Sequence, residues 1–140
     1  SKDADNLYIT CKVKDGELYS GGQGTQKGSG VFIYLDTKNE CLKEPAEGVY
    51  KVWCSYKGDI TVWQGNKGKW ENSELEGLQI TPSVVPGGYE LAFTIPLNRS
   101  FNKDTMRLCA TLSTKTYTET LVHSNADWSC TWMKMNLGGH

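Results

Sequence analysis

Trp53 and Trp63 are the two residues of this chain whose type and spacing most clearly suggest chemistry. Each lies in a short run of alternating apolar and polar residues, which is typical of a half-buried β-strand. Lys51 shares its side of the first strand with Trp53, and a lysine is costly to bury alone, so the pattern places Trp53 toward solvent. Trp63 shares its side with Thr61, and it too is predicted to be exposed.

The segment between the two strands predicts how these indoles are arranged. Lys57-Gly58-Asp59 is typical of a short β-hairpin turn. If Tyr56 lies opposite Ile60, antiparallel pairing places Trp53 directly opposite Trp63. Directly opposed side chains have Cβ atoms roughly 4.5–5.5 Å apart. The two indoles would then form one apolar strip, and exposed aromatic patches often mark binding sites.

A sugar ring suits such a strip, because the axial C–H face of a pyranose is apolar and stacks on the electron-rich face of an indole. The sugar hydroxyls need polar partners around the strip, and a third ring could extend it. The nearby candidates for these roles are Gln64, Asn66, Lys67, Lys51 and Trp70. The alternative is that another segment covers this face of the sheet, in which case both indoles belong to a core.

A second aromatic cluster lies near the C-terminus, in the stretch from Asn125 to Trp132. Trp128 sits at a predicted loop edge and is a further candidate for carbohydrate binding, although packing explains it equally well. Trp132 shares its side of a predicted strand with Lys134 and is a weaker candidate.

The five cysteines do not form a C-x-x-C pair, so a zinc site is not predicted. Cys11 and Cys54 lie on apolar faces and are expected to behave as small buried hydrophobic residues. Cys109 is predicted to face outward, and a bridge from it to Cys130 is an open option. The odd count leaves at least one thiol unpaired within the chain.

Catalysis is not predicted. His140 ends the chain, and His123 has no serine or cysteine nucleophile in a recognisable setting. Scattered carboxylates leave a glycosidase pair open, but a domain of this size with a stacking strip is more typical of binding without reaction.

Cofactor chemistry is likewise weakly supported. Asp36, Asn39 and Glu40 offer the oxygen ligands that calcium prefers, although a solvated loop explains them better. Haem would require His123 and a C-terminal methionine as axial ligands, and those methionines fit a core better. No cofactor is therefore predicted, with calcium kept as an option.

The elements that must position these residues are short strands, and no amphipathic helix is predicted. Leu7 to Val13 alternates in polarity, whereas Val31 to Leu35 is apolar on both faces and should be a central strand. Further strands are predicted at about 49–56, 60–64, 75–81, 89–95, 106–113, 117–122 and 131–137. The pattern predicts an all-β fold, an antiparallel β-sandwich of immunoglobulin-like or jelly-roll type. We expect residues 1–140 to form one module of a longer protein.

Composition narrows the range of partners. A net charge of −1 argues against nucleic-acid binding, which normally requires a basic excess. No stretch of about 18 apolar residues exists, so membrane insertion is not predicted. Five Trp and seven Tyr accompany only three Phe, and Trp and Tyr are favoured where a ring meets water or a ligand.

Three segments resemble the family 9 carbohydrate-binding modules and their DOMON-like relatives. The first, Asp5 to Thr10 followed by Val13-Lys14-Asp15, is similar to an early strand of that family. The other two segments are Ser29 to Asp36 and Gly87 to Leu97. The resemblance implies a β-sandwich of the kind found in secreted glycan-degrading systems.

The chain departs from this family around its sugar site. The family has a carboxylate near the position of Phe32 and an aromatic residue just before that strand, and this sequence has neither. Trp128 falls where the family often has a sugar-stacking tryptophan. The hairpin strip is therefore a prediction from this sequence alone.

Taken together, the sequence predicts a non-catalytic module that binds a polysaccharide or oligosaccharide, with a plant glucan such as starch, cellulose or hemicellulose as the expected ligand. The module is expected to be tethered to other domains of a secreted or cell-surface protein. The alternative is an adhesin or scaffold module that binds a protein with the same aromatic surface.

Overall fold

The computed structural model describes residues 5–18, 28–98, 100–102 and 104–113, and the backbone of two further strands at 118–120 and 133–136. All regular structure in this part of the chain is β-strand. The strands are β1 (Asn6–Lys14), β2 (Gly30–Asp36), β3 (Val49–Ser55), β4 (Ile60–Asn66), β5 (Lys69–Asn72), β6 (Gln79–Val85), β7 (Gly88–Pro96), β8 (Thr105–Ser113), β9 (Thr118–Thr120) and β10 (Met133–Asn136).

These strands form two antiparallel sheets. The small sheet has the order β1-β7-β6. The large sheet has the order β10-β8-β2-β3-β4-β5, and β9 pairs with β8. The prediction of an antiparallel all-β sandwich is confirmed. No helix long and apolar enough to cross a membrane occurs among the described residues.

The core lies between the two sheets and follows the period-two alternation of the strands. In the small sheet it contains Leu7 and alternate residues of β7, including the fully buried Tyr89 and Phe93. In the large sheet it contains alternate residues of β2 and β3, such as Ile33 and Val52. Burying each of these large apolar side chains stabilises the fold by about 1.5–3 kcal/mol.

The large sheet also has packing on its outer face, which is the face turned away from the small sheet. β2 lies between β3 and β8, which confirms its prediction as a central strand. Its outward residues Phe32 and Tyr34 are aromatic. Tyr34 is buried with Val49 and Cys109 in a second, smaller cluster, against which Phe32, Leu42 and Trp70 also pack.

The loop of residues 37–48, here called the cover loop, lies over part of this outer face. Its backbone approaches β4 so closely that a Cβ at Gly65 would collide with Pro45 and Ala46. The Gly68 amide donates a hydrogen bond to the Pro45 carbonyl at 2.8 Å. Glycine at position 65 therefore allows the loop to contact the sheet.

Two elements differ from the sequence prediction. β5 was not predicted, because it has only four residues and no apolar alternation. It follows a tight turn in which Lys67 and Gly68 have φ values of 50° and 87°, as a two-residue type I′ hairpin requires. The strand predicted at 75–81 is instead β6, which lies at the edge of its sheet, contains Pro82 and is largely exposed.

Candidate functional site

The register of the tryptophan hairpin differs from the prediction. Trp53 lies opposite Thr61, and Trp63 lies opposite Lys51, so the two indoles are not directly opposed. The turn occupies residues 56–58, closed by a hydrogen bond from the Ser55 amide to the Asp59 carbonyl at 2.9 Å. Gly58 takes the left-handed conformation with φ of 96°, as in a three-residue hairpin loop. This moves the pairing by two residues and leaves both indoles on the same face.

Trp53 is buried, with 3% of its surface exposed, so the prediction that it points to solvent is wrong. Its ring packs against Phe32 of the neighbouring strand, with the ring centroids 4.8 Å apart. The far edge of the indole lies over Gly30, where a Cβ would collide with it. The alternative that this indole belongs to a core is therefore the correct one for Trp53.

Lys51 stands at the centre of the remaining outward aromatic residues. Its ammonium nitrogen lies 4.5 Å from the ring centroid of Trp63, 5.2 Å from that of Trp70 and 5.9 Å from that of Phe32. These are cation–π distances. All four side chains are half-buried. We call Lys51, Phe32, Trp63 and Trp70 the Lys51 cluster. The presence of Lys51 therefore does not show that this face is fully exposed, because its ammonium group lies over aromatic rings instead of extending into bulk water.

The structure brings Lys51, Trp63 and Trp70 together, as the sequence analysis suggested, but not the other proposed polar partners. Gln64 lies in register with the core residue Tyr50, so it projects from the opposite face to Trp63. Its amide oxygen accepts a hydrogen bond from the Gly48 amide at 2.9 Å, which secures the end of the cover loop.

Asn66 and Lys67 also lie away from the cluster. Asn66 is at the end of β4, where its side-chain amide donates a hydrogen bond to Glu71 at 2.7 Å. Lys67 is exposed at the tip of the β4–β5 turn. Both were predicted to border the tryptophan strip, and the two-residue turn carries them beyond it.

Asn72 is a polar residue that the sequence analysis missed. It lies on β5 directly opposite Trp63 and is exposed, so its amide group stands beside that indole. It also borders an open depression of about 280 Å³ with Glu47, Glu71 and Ser73. The turn sequence Asn66-Lys67-Gly68 was the signal that would have revealed β5 and this pairing.

Two of the three weak calcium candidates, Asp36 and Asn39, have other side-chain partners in the structure, and the third, Glu40, is exposed. Asp36 is fully buried, and its two carboxylate oxygens accept hydrogen bonds from the amides of Glu40 at 3.1 Å and Cys41 at 3.0 Å. The Asn39 side chain donates to Thr105 and accepts from the Arg107 guanidinium, both at 2.9 Å. Asp36 and Asn39 therefore anchor the cover loop. No group of three or more metal-binding His, Cys, Asp or Glu occurs among the described residues.

Of the two cysteines predicted to be buried between the sheets, Cys54 is buried and Cys11 is partly buried against the same core. Cys54 is fully buried, and its pKa is raised to about 12, first by burial and then by Asp59 and Cys11. Burial also raises the pKa of Cys11 to about 11. Both thiols are therefore protonated and unreactive near neutral pH.

Cys109 is on the outward side of β8, as predicted, but it is buried in the second cluster. Trp128, together with Trp132, Cys130 and His123, lies outside the described residues, so their predicted roles stay predictions.

Among the described residues of the outer face, one buried polar atom has no hydrogen-bond partner. Thr111 lies beside Phe32, which in turn lies beside Trp53, so the three form one row across the sheet. The Thr111 hydroxyl is buried and makes no hydrogen bond. This row is therefore packed as a core, whereas the neighbouring row with Lys51 and Trp63 reaches the surface.

Comparison with known proteins supports the fold. No family model matches the sequence, and no curated protein matches it. Two solved structures of a family 9 carbohydrate-binding module from Caldicellulosiruptor kristjanssonii, one in complex with cellotriose and one with glucose, superpose with a TM-score of 0.79. They are 15% identical to this chain, of which they cover 99%, and the chain covers 72% and 74% of theirs. The chain therefore has the β-sandwich fold of the family 9 carbohydrate-binding modules.

Proposed function

We propose that this protein is a non-catalytic module that binds an oligosaccharide or polysaccharide at the Lys51 cluster. The observation that carries the proposal is that two half-exposed indoles, Trp63 and Trp70, stand together on one face of a rigid sheet. A third residue, Asn72, adds an exposed amide beside Trp63. Rings that offer one face to solvent are suited to a ligand that is apolar on one side and polar at its edge.

The arrangement fits a sugar in three respects. The indole faces can receive the axial C–H groups of a pyranose. The Asn72 amide can both donate to and accept from sugar hydroxyls. Both tryptophans lie on paired strands, β4 and β5, so the site is preorganised and little conformational entropy is lost when a ligand binds.

A β-glucan is the ligand class that we favour. The structures with the same fold hold cellotriose, which is a short β-1,4-glucan, and glucose. We further propose that the module acts outside the cell, tethered to other domains that degrade or hold the glycan. Trp128 remains a proposed contributor to binding.

The experiment is isothermal titration of cellotriose, preceded by affinity gel electrophoresis against soluble β-glucan, xylan and starch. We expect retardation by at least one glycan, and a loss of affinity of about tenfold or more in Trp63→Ala and in Trp70→Ala, as for an aromatic residue at a binding hot spot. Tyr8→Ala is the matched control, because Tyr8 is an exposed aromatic residue on the small sheet.

Two results would contradict the proposal. If no glycan retards the wild-type protein, carbohydrate binding is wrong, and the adhesin or scaffold alternative becomes the better hypothesis. If a glycan binds and both tryptophan variants bind it as tightly as the wild type, the site is wrong.

A further inference from the structure

We infer that the Lys51 cluster prefers an acidic sugar, a uronic acid residue, over its neutral counterpart. The inference rests on the proposed function and concerns the charge of the sugar: among β-linked glycans bound at this site, it favours acidic ones over a neutral β-glucan. Its basis is the position of one cation. The Lys51 ammonium lies over the rings on which a sugar would stack, at 4.5 Å from the centroid of Trp63 and 5.2 Å from that of Trp70.

The sheet register fixes this position. Lys51 is on β3 with Tyr34 on one side and Trp63 on the other, so its stem rises between aromatic neighbours. Trp70 closes the third side from β5. The ammonium is therefore held at the level of the ring faces and partly withdrawn from water, where it interacts with an anion more strongly than a fully solvated lysine does.

A neutral sugar and an acidic sugar would meet this arrangement differently. A neutral pyranose on Trp63 must share the ring face with the ammonium and gives it only a hydroxyl oxygen. A uronic acid ring has the same apolar face and also a carboxylate group, whose carbon is C6. This carboxylate can reach the ammonium while the ring stacks on the indole. A charge-assisted hydrogen bond of this kind is roughly twice as strong as a neutral one.

The charges around the cluster are consistent with an anionic ligand. Among the outward residues of strands β2, β3, β4, β5 and β8, the described part of the sheet has two cations, Lys51 and Arg107, and one carboxylate, Asp36. Both Asp36 oxygens already accept hydrogen bonds from backbone amides. The cover loop has three carboxylates, Glu40, Glu44 and Glu47, and two lysines, Lys38 and Lys43, and Glu47 pairs with Lys38 at 3.9 Å.

Lys51 also makes a further interaction besides these three ring contacts. The ligand carboxylate would therefore join or replace an existing partner. This lowers the expected gain in affinity.

The test is isothermal titration of cellotriose and of the matched β-1,4-linked glucuronic acid trisaccharide, which differs in having a carboxylate at each C6. We expect the acidic trisaccharide to bind the wild-type protein about tenfold more tightly at low ionic strength. That preference should shrink between about 50 mM and 500 mM sodium chloride, because salt screens the attraction.

Three variants test whether the charge of Lys51 causes the preference for the acidic trisaccharide. Lys51→Met should abolish the preference by weakening the acidic trisaccharide more than it changes the affinity for cellotriose, whereas Lys51→Arg should keep the preference because it keeps the charge. Lys12→Met is the control, because it removes an exposed lysine from the outer face of the small sheet and should leave the preference unchanged.

These experiments distinguish a failure of the acidic preference from a failure of carbohydrate binding itself. If cellotriose binds as tightly as the acidic trisaccharide, or if Lys51→Met weakens both equally, the acidic preference is wrong and carbohydrate binding stands. If neither ligand binds the wild-type protein, both are wrong. A Lys51→Met protein that does not fold, as judged by circular dichroism, is replaced by Lys51→Gln, with the same expectation.

Discussion

The two outer faces of the sandwich share the period-two geometry of β-strands but differ in how they meet water. On the small sheet, the outward residues of β1 are Tyr8, Thr10, Lys12 and Lys14, and all four are exposed. On the large sheet, the outward side of β2 and β3 contains Trp53 and Tyr34, both buried. Alternation therefore shows which residues share a face, but only the residues packed on that face decide whether it meets water.

The strongest way to test this comparison is to remove one aromatic ring from each outer face. Trp53→Ala should lower the free energy of unfolding by about 3–5 kcal/mol, because the indole fills space against Phe32 and over Gly30. Tyr8→Ala should lower it by less than about 1 kcal/mol, as is usual for an exposed residue. Urea unfolding measures both. Equal losses would mean that the two faces are packed alike.

The contact of the cover loop with the large sheet can be tested with glycine substitutions. Gly65→Ala should lower the free energy of unfolding by about 2–3 kcal/mol, because its Cβ would collide with the Pro45 and Ala46 backbone. Gly16→Ala is the control, since nothing lies within 4 Å of the added Cβ, and it should be close to neutral. A Gly65→Ala protein as stable as the wild type would show that the loop does not rest on β4.

The thiols between the sheets predict how stability depends on pH. Folding raises the pKa of Cys54 from 9.0 to about 12, so its stabilising contribution is complete below pH 9 and is lost as the pH rises toward 12. The pKa of Cys11 is raised in the same direction, to about 11.

We therefore expect the free energy of unfolding to fall by about 2 kcal/mol between about pH 9 and pH 10, about 1 kcal/mol for each thiol, by linkage. The Cys11→Ala/Cys54→Ala protein should show a smaller fall over the same range. Chemical denaturation at a series of pH values measures both slopes. Parallel slopes would mean that these thiols are ionised equally easily in the folded and unfolded chains.

The smallest expected effect concerns the row that contains Thr111. Thr111→Val removes a buried hydroxyl that has no hydrogen-bond partner among the described residues and keeps the shape of the side chain. It should leave stability unchanged or raise it by up to about 1 kcal/mol. Thr105→Val on the same strand should not be stabilising, because the Thr105 hydroxyl accepts a hydrogen bond from Asn39. Thermal unfolding distinguishes the two, and a clear loss in Thr111→Val would reveal a partner for that hydroxyl.

The β-sandwich could be predicted from the sequence because the pattern that indicates each strand lies within that strand. Alternation along β1 and β7 and the apolar run of β2 each specify a strand without knowledge of its neighbours. The burial of Trp53 could not be predicted, because it depends on the pairing of β3 with β2, which places Phe32 beside the indole. That contact joins segments about twenty residues apart, and nothing in the hairpin sequence indicates it.

The hairpin register failed for a more local reason. The Ser55 hydroxyl accepts hydrogen bonds from the amides of Lys57 at 3.2 Å and Asp59 at 3.1 Å, and these bonds favour a turn that begins just after Ser55. Serine at the start of a turn is a recognisable signal. Lys51 and Trp63 were identified from sequence as site candidates, but their direct pairing follows only from the corrected register.

The most direct test of the Lys51 cluster as the binding site is a titration with cellotriose, followed by ¹H–¹⁵N correlation NMR. The indole N–H signals of the tryptophans are assigned by substitution. We expect the signals of Trp63 and Trp70 to shift progressively and saturate together, while the signal of the buried Trp53 stays in place. A titration that moves the Trp53 signal and leaves those of Trp63 and Trp70 unchanged would contradict the assignment of the Lys51 cluster as the binding site.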